Sequence, residues 1–249
     1  MHPTKRRDSI LQLLHQEGKV EINDLSKKFD VSPMTIRRDL HLLEDEKKLL
    51  RVNSGAVLAK PLITETPFST KESIRTAQKK LIAEKALSFV HEGQAILLDS
   101  GTTTLEIAKL LKQKNNLTII TNDIKIAAEL MDSNLKVILT GGELQKDVGA
   151  LFGPQSLALL HEINVDIFFL GAHAIDFEKG ITSPTFEKSY MKQRMIEAAE
   201  TTYLVADSSK LYQKAFSKVC DLSTLTGFIT DDEIDVNDKI QLSEVIRIY

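Results

Sequence analysis

Apolar residues near the start of the chain recur at helical spacing. Ile10, Leu13 and Leu14, then Ile22, Leu25 and Phe29, then Ile36, Leu40 and Leu43 each make one stripe, which predicts three short helices with one face apiece to bury. The third has the clearest start. Ser32 can accept from the free amides of its first turn, and Pro33 stands where a missing N–H costs nothing. The turn before it, Phe29-Asp30-Val31, is short, so the second and third helices form a helix-turn-helix, whose second helix enters the DNA major groove. Leu49 to Val57 follows as two β-prone runs around Asn53-Ser54-Gly55, a wing that carries Arg51.

Beyond residue 70 helical stripes alternate with short apolar runs, the pattern of an α/β domain with a largely parallel sheet. Ala95–Leu98 runs into Asp99-Ser100-Gly101-Thr102-Thr103-Thr104, Leu117–Ile120 into Thr121-Asn122, and Lys136–Leu139 into Thr140-Gly141-Gly142. Asp166–Leu170 runs into Gly171-Ala172, and Tyr203–Ala206 into Asp207-Ser208-Ser209-Lys210. Small polar residues thus gather at the C-terminal ends of the strands, the edge where open α/β sheets bind ligands. Between the two patterns, Lys60-Pro61 to Pro67 carries two prolines and no helical period. The expected organisation is a winged helix-turn-helix over 1–58, a linker over 59–70 and an α/β ligand-binding domain over 71–249.

On the third helix, burying Ile36, Leu40 and Leu43 turns Met34, Arg38 and His41 outward and leaves Thr35 and Arg37 on the flanks. Arginine can take guanine bidentately or pair with phosphate, threonine can hydrogen-bond either, and methionine can meet a thymine methyl. In the second domain, Ser100 to Thr104 leads directly into the stripe Leu105, Ala108, Leu111. Glycine lets backbone approach a ligand, and the free amides of a helix start favour an anion such as phosphate. No Gly-Lys-Ser/Thr follows and no Gly-x-Gly-x-x-Gly occurs, so neither a P-loop nor a dinucleotide fingerprint is present.

Charge alters the picture only when divided. The net charge of -3 over 249 residues looks wrong for a nucleic-acid partner, but residues 1–60 hold 12 Lys and Arg against 9 Asp and Glu, and the remainder holds 20 against 26. The single cysteine, Cys220, excludes an internal disulfide framework and suits a reducing cytoplasm. It is strand-like and read as an inert packing residue, as are Met191 and Met195. No apolar run suits a membrane span or signal peptide. The six histidines lack zinc-site spacing, so no metal is expected.

The string Val31-Ser32-Pro33-Met34-Thr35-Ile36-Arg37-Arg38-Asp39-Leu40, with Lys5-Arg6-Arg7 ahead of it, closely resembles the N-terminal domain of DeoR-type bacterial transcriptional regulators. The resemblance continues through Asp99-Ser-Gly-Thr-Thr-Thr, Thr121-Asn122, Gly141-Gly142-Glu143-Leu144, Leu170-Gly171-Ala172, Lys192 and Ala206-Asp207-Ser208-Ser209-Lys210. It implies an effector domain similar to the ribose-phosphate isomerase fold that senses phosphorylated sugars. By that resemblance Ser100 to Thr104 would hold the phosphate, Asp99 and Asn122 would face sugar hydroxyls, and Lys192 and Lys210 would supply positive charge. Gly141 and Gly142, in the same family motifs, would also bind the effector. Ser32, Met34, Thr35, Arg37, Arg38, His41 and Arg51 would meet DNA. Two departures bear on which sugar fits: Glu187 is followed by Lys188 where an acidic stretch is usual, and His173 stands where a small polar residue is usual. The wing also has Asn53-Ser54-Gly55-Ala56 in place of His-Gly-Gly-Ala.

The expected function is a cytoplasmic sugar-phosphate-responsive repressor of a carbohydrate-utilisation operon. It would bind operator DNA as a homo-oligomer, a dimer or tetramer, with no cofactor and no membrane partner. The alternative is an isomerase using Asp99, Asp176, Asp207, Glu187 and Lys192, which fold alone supports weakly because no pair of them falls in a catalytic motif.

Overall fold

The structure is a computed structural model that describes residues 2–46, 48–52, 54–58 and 62–249. The chain divides into two compact units, Met1–Pro61 and Leu62–Tyr249.

In the first unit, α1 (Pro3–Glu17), β1 (Lys19–Glu21), α2 (Ile22–Phe29), α3 (Pro33–Asp45), β2 (Leu49–Val52) and β3 (Gly55–Leu58) form a winged helix-turn-helix. The three predicted stripes meet in one core, with Ile10, Leu14, Ile36 and Leu40 fully buried. Ser32 caps α3 as expected, its side chain accepting from the Thr35 amide at 3.2 Å. Sequence reading missed β1, which pairs antiparallel with β3 to complete a three-stranded sheet. Gly55, read as part of the wing turn, lies in β3, where a Cβ would stand 1.8 Å from the Val20 carbonyl oxygen. Glycine is required there so that β3 can approach β1. Asn53 lies outside the described residues.

A buried ion pair joins α1 to α3. Arg6 Nε donates to Asp39 Oδ2 at 2.6 Å with both side chains almost fully enclosed. Arg6 therefore helps set the angle of the recognition helix.

The second unit carries α4 (Phe68–Ser73), α5 (Thr76–Leu87), β4 (Ala95–Leu98), α6 (Thr102–Leu111), β5 (Thr118–Thr121), α7 (Ile124–Leu130) and β6 (Lys136–Leu139). A hairpin, β7 (Glu143–Gln145) and β8 (Ala150–Phe152), follows, then α8 (Pro154–Glu162), β9 (Val165–Gly171), β10 (Ala174–Asp176) and β11 (Gly180–Ser183). The chain ends with α9 (Phe186–Glu197), β12 (Ala199–Val205), β13 (Ser217–Cys220), β14 (Gly227–Ile229) and α10 (Val236–Ser243). Six strands make a parallel sheet in the order β14-β12-β9-β4-β5-β6. Alternate residues feed two cores, Leu97, Phe168 and Leu204 on one face and Ile96, Ile167 and Val205 on the other. The small sheet β10-β11-β13 is antiparallel and was not foreseen.

The sheet reverses direction between β4 and β9. From β4 the chain winds outward to β5 and β6, and from β9 it winds the other way to β12 and β14. In open α/β sheets a ligand binds at such a switch point, beyond the C-terminal strand ends.

The expected linker divides. Residues 59–61 lie outside the described residues, whereas 62–70 pack within the second unit: the Leu62 carbonyl accepts from the Phe216 amide and the Phe68 amide donates to Asp147, each at 3.0 Å. Among the described residues no helix is long and apolar enough to cross a membrane.

Because removing one partner of a buried ion pair leaves the other uncompensated, Asp39→Ala is expected to destabilise the first unit by about 3–5 kcal/mol. Hydrogen exchange of the α1 and α3 amides in the full chain checks this, and Arg6→Met with Asp39→Leu is expected to restore most of the protection.

Candidate functional site

The recognition helix presents the side chains that its periodicity predicts. Met34 is 69% exposed, and Arg37, Arg38 and His41 are also exposed, while Ile36, Leu40 and Leu43 are buried. Thr35 is half-buried, with its hydroxyl 3.0 Å from that of Ser32. Ser32 and Thr35 therefore build the start of the helix as well as lying on its leading edge. His41 Nδ1 is 3.7 Å from Asp45 Oδ1. Arg51 is exposed on the wing, but its amide donates to Glu44 at 3.0 Å and its guanidinium lies 3.6 Å from the same carboxylate. In so exposed a pair the attraction is weak, and a phosphate can compete for the arginine.

In the second unit the residues at the switch point converge. Lys192, on α9, forms a buried ion pair with Asp99 Oδ2 at the end of β4 and donates to the Gly171 carbonyl at 2.7 Å. The Gly171 amide donates back to Asp99 Oδ2 at 3.0 Å, so one ring of contacts ties β4, β9 and α9 together. A Cβ on Gly171 would stand 3.1 Å from that oxygen. Asp99 was expected to face sugar hydroxyls; its Oδ2 is instead committed to this ring.

The turn after Asp99 is partly structural. Thr104 is fully buried and its hydroxyl donates to the Gly101 carbonyl at 3.0 Å, so it holds the turn together rather than facing a ligand. Thr102 is buried as well, which leaves Ser100 and Thr103 as the half-buried hydroxyls. No side chain caps the first amides of α6. A Cβ on Gly101, whose backbone is extended, would meet only Thr104 Oγ1, at 3.6 Å. Nothing inside the protein demands glycine there.

Asn122, at the end of β5, is buried; its side-chain amide donates to the Leu151 carbonyl at 3.2 Å, and its Oδ1 has no hydrogen-bond partner among the described residues. The neighbouring Asp123 is buried too, with Oδ1 accepting from the Lys125 amide at 2.8 Å and Oδ2 unpartnered among the described residues. Burial pushes its carboxyl pKa up, against the pull of Lys125 and of the Gly101 amide. Gly141 and Gly142 follow β6 and lie beside β8, the strand whose Leu151 also holds Asn122. Both have positive φ, and a Cβ on Gly142 would stand 2.2 Å from the Phe152 carbonyl oxygen. Ser156 donates to the Gly141 carbonyl. These glycines fit the β6–β7 turn against β8 and α8.

The largest addition to the predicted site is a group of lysines. Glu65 bridges Lys71, at 3.0 Å, and Lys188, all three well enclosed. Lys79 is buried and donates to the carbonyls of Ile74, at 2.6 Å, and Lys71 at the end of α4. Lys210 reaches this group through longer-range electrostatics with Asp207, Lys79 and Lys71. Burial opposes the charged form of Glu65, but Lys71 and Lys188 win and hold its pKa at about 2. Burial also brings Lys79 down to about 8, with Asp207 resisting and Lys210 assisting. Lys71 is lowered by burial despite Glu65, with Lys188 and Lys210 adding repulsion.

Arg75 anchors the floor of this group. Its backbone is left-handed, at φ 55°, and its guanidinium lies 3.1 Å from Asp207 and 2.5 Å from Glu233. Asp231 fixes the same loop by accepting from the Ser208 amide at 2.7 Å. Despite its burial, Asp207 is held below the usual carboxylate range by Lys210, Ser209 and Arg75. Lys71, Arg75 and Lys79 fall four residues apart, as do Lys188 and Lys192. That spacing was a usable signal. Cys220 is half-buried and its thiol is pushed up to about 12 by burial, so it stays protonated. Among the described residues no group of three His, Cys, Asp or Glu side chains could hold a metal ion.

Comparison with known proteins matches both units to one family. The DeoR-like helix-turn-helix domain matches residues 6–61 and the DeoR C terminal sensor domain matches residues 74–232. An HTH-type transcriptional regulator GlpR of Haloferax volcanii is 34% identical over 242 residues, covering 97% of this chain and 95% of that protein. A glycerol-3-phosphate regulon repressor of Escherichia coli is 32% identical over 232 residues, covering 93% and 92%. A putative aga operon transcriptional repressor of Escherichia coli is 33% identical over 234 residues, covering 93% and 87%. Among solved structures, ribose 5-phosphate isomerase A of Methanocaldococcus jannaschii aligns over 53% of each chain at 18% identity with a TM-score of 0.40. The eIF2B delta chain of Chaetomium thermophilum aligns over 64% of this chain and 57% of its own at 16% identity with a TM-score of 0.48. With sensor and helix-turn-helix domains both matched and full-length relatives named as regulators, the chain belongs to the DeoR family of helix-turn-helix transcriptional regulators.

Proposed function

We propose that the chain represses carbohydrate-utilisation genes by binding operator DNA through α3 and its wing, and that a phosphorylated sugar in the switch-point cleft relieves the repression. The observation that carries the effector half is electrostatic: uncapped amides at the start of α6 and the buried or half-buried cations Lys71, Lys79, Lys188 and Lys210 belong to one strand-end region. Phosphate satisfies both. Ser100, Gly101 and Thr103 would hold the phosphate, with Thr102 and Thr104 shaping the turn; Asp99, Asn122 and Lys192 would line the sugar, and Lys210 would add charge. Gly141 and Gly142 would shape the neighbouring turn.

On the DNA side Met34, Arg37, Arg38 and His41 would face the groove, with Ser32, Thr35 and Arg51 at its rim. One such module reads too few bases for genomic specificity, so binding would require a homo-oligomer, a dimer or tetramer. The cleft is read as a receptor and not as a catalytic centre, in keeping with relatives named as regulators. No cofactor is required by this reading, which places the protein in the cytoplasm with its DNA.

Arg38→Ala is expected to weaken binding to the DNA upstream of the chain's own gene by about 1–3 kcal/mol. Fluorescence anisotropy reads this, and unchanged affinity would remove Arg38 from the interface. Gly101→Ala is expected to leave melting unchanged and to abolish the calorimetric signal of phosphorylated sugars, since its Cβ finds space only in the empty turn; normal binding would displace the phosphate from Gly101. Affinity for a phosphorylated sugar is expected to fall as pH rises through about 8, where Lys79, flanked by Asp207, Lys210, Glu106 and Lys71, loses its proton. A profile flat to pH 10 would separate Lys79 from the bound anion.

A further inference from the structure

Residues 62–67 have no helix or strand of their own, and Leu62, Ile63, Thr64 and Pro67 are exposed. Glu65 alone turns well inward, placing one carboxylate between two enclosed ammonium groups, Lys71 and Lys188. One carboxylate between the buried Lys188 and the half-buried Lys71 leaves a surplus of positive charge where unbalanced charge is costly. Glu65 thus sits as a tethered anion would. Lys188 is one turn, roughly 6 Å, from Lys192 on α9, and Lys192 in turn holds Asp99, the residue before the Ser100–Thr104 turn. Helix α4, which bears Lys71, packs against α6. The two places are therefore linked through α9 and through the packing of α4 on α6.

We propose that Lys71 and Lys188 form a second anion subsite, occupied in the effector-free protein by the chain's own Glu65, and that the effector carries a second anionic group that displaces it. This rests on the reading of the cleft as a phosphorylated-sugar site and narrows it to doubly anionic sugars. A carboxylate is the group that Glu65 itself places there, and a second phosphate has the same charge-assisted chemistry. Displacement frees the Glu65 side chain within a segment that stays hydrogen-bonded at Leu62 and Phe68.

Calorimetric titration of the full chain with matched pairs tests this. The pairs are ribose phosphate against phosphoribonate, glucose phosphate against phosphogluconate, and fructose monophosphate against fructose bisphosphate, with phosphate on the terminal carbon in each monophosphate. In at least one pair the doubly anionic member is expected to bind tighter by about tenfold or more, the yield of one added charge-assisted contact. Preference in the first two pairs assigns the second group as carboxylate, and preference in the third as phosphate. Lys188→Met is expected to bring the ratio toward one. If that variant fails to fold, Glu65→Gln supplies the check: its ligand-free melting temperature should fall, and its affinity for the doubly anionic member should rise several-fold as the internal competitor is lost. Monophosphates that bind as tightly as their partners in every pair overturn the second subsite and leave the phosphorylated-sugar reading standing. Lower affinity in Glu65→Gln overturns the competition. Absence of binding by any phosphorylated compound overturns both.

Discussion

The sensor domain depends on a buried ion pair at the point where its sheet reverses. Burying a carboxylate and an ammonium costs several kcal/mol each unless geometry and further hydrogen bonds compensate. Here compensation is local: Lys192 reaches Asp99 and the Gly171 carbonyl, and the Gly171 amide returns to Asp99. The consequence is positional. The ends of β4 and β9 and the middle of α9 are held together by groups that cannot separate without leaving a charge stranded. The Ser100–Thr104 turn departs from that fixed point, so the free amides at the start of α6 are aimed before any ligand arrives.

The winged unit uses charge in a similar way, and this revises what its modest surplus means. Of its cations, Arg6 is drawn into the core by Asp39 and Arg51 is shared with Glu44. Arg37 and Arg38 remain exposed on α3. With 12 Lys and Arg against 9 Asp and Glu in residues 1–60, the unit gains little from a broad field, so its affinity would come from placed contacts and from pairing of modules.

Much of this architecture was legible in the sequence because its elements follow strong periods. β4 coincides with an apolar run and β9 nearly does, since a parallel strand covered on both faces is apolar throughout. The capped start of α3 was equally plain. Strands of three or four residues such as β1, β7 and β10 are too short for a period of two to stand out. Glu65 was hidden for a different reason. It lies between prolines in a stretch without apolar pattern, and what anchors it is a charge 123 positions away. Lys71 and Lys79 look like one helix face at four-residue spacing, yet the chain breaks at Arg75, and Lys79 turns back onto the carbonyls that end α4. Electrostatic closure of this kind leaves little mark on hydrophobic pattern.

An effector can shift a conformational equilibrium only by the difference in its affinity for the two states. A ligand that merely filled the turn before α6 would touch groups already fixed by Asp99 and Lys192, and would bind both states about equally. The contacts that would differ under the proposed exchange are the ion pairs of Glu65 with Lys71 and Lys188. An anion that took Lys71 and Lys188 from Glu65 would exchange one set of ion pairs for another, keeping the local charge balance while freeing the Glu65 side chain. A change at Glu65 would reach the DNA-binding unit only along the chain, past the hydrogen bond that holds Leu62 to Phe216. In a domain whose core is close-packed and stiff, the proposed signal would start where a ligand can replace charges, at Glu65, and not where backbone hydrogen bonds hold the same segment.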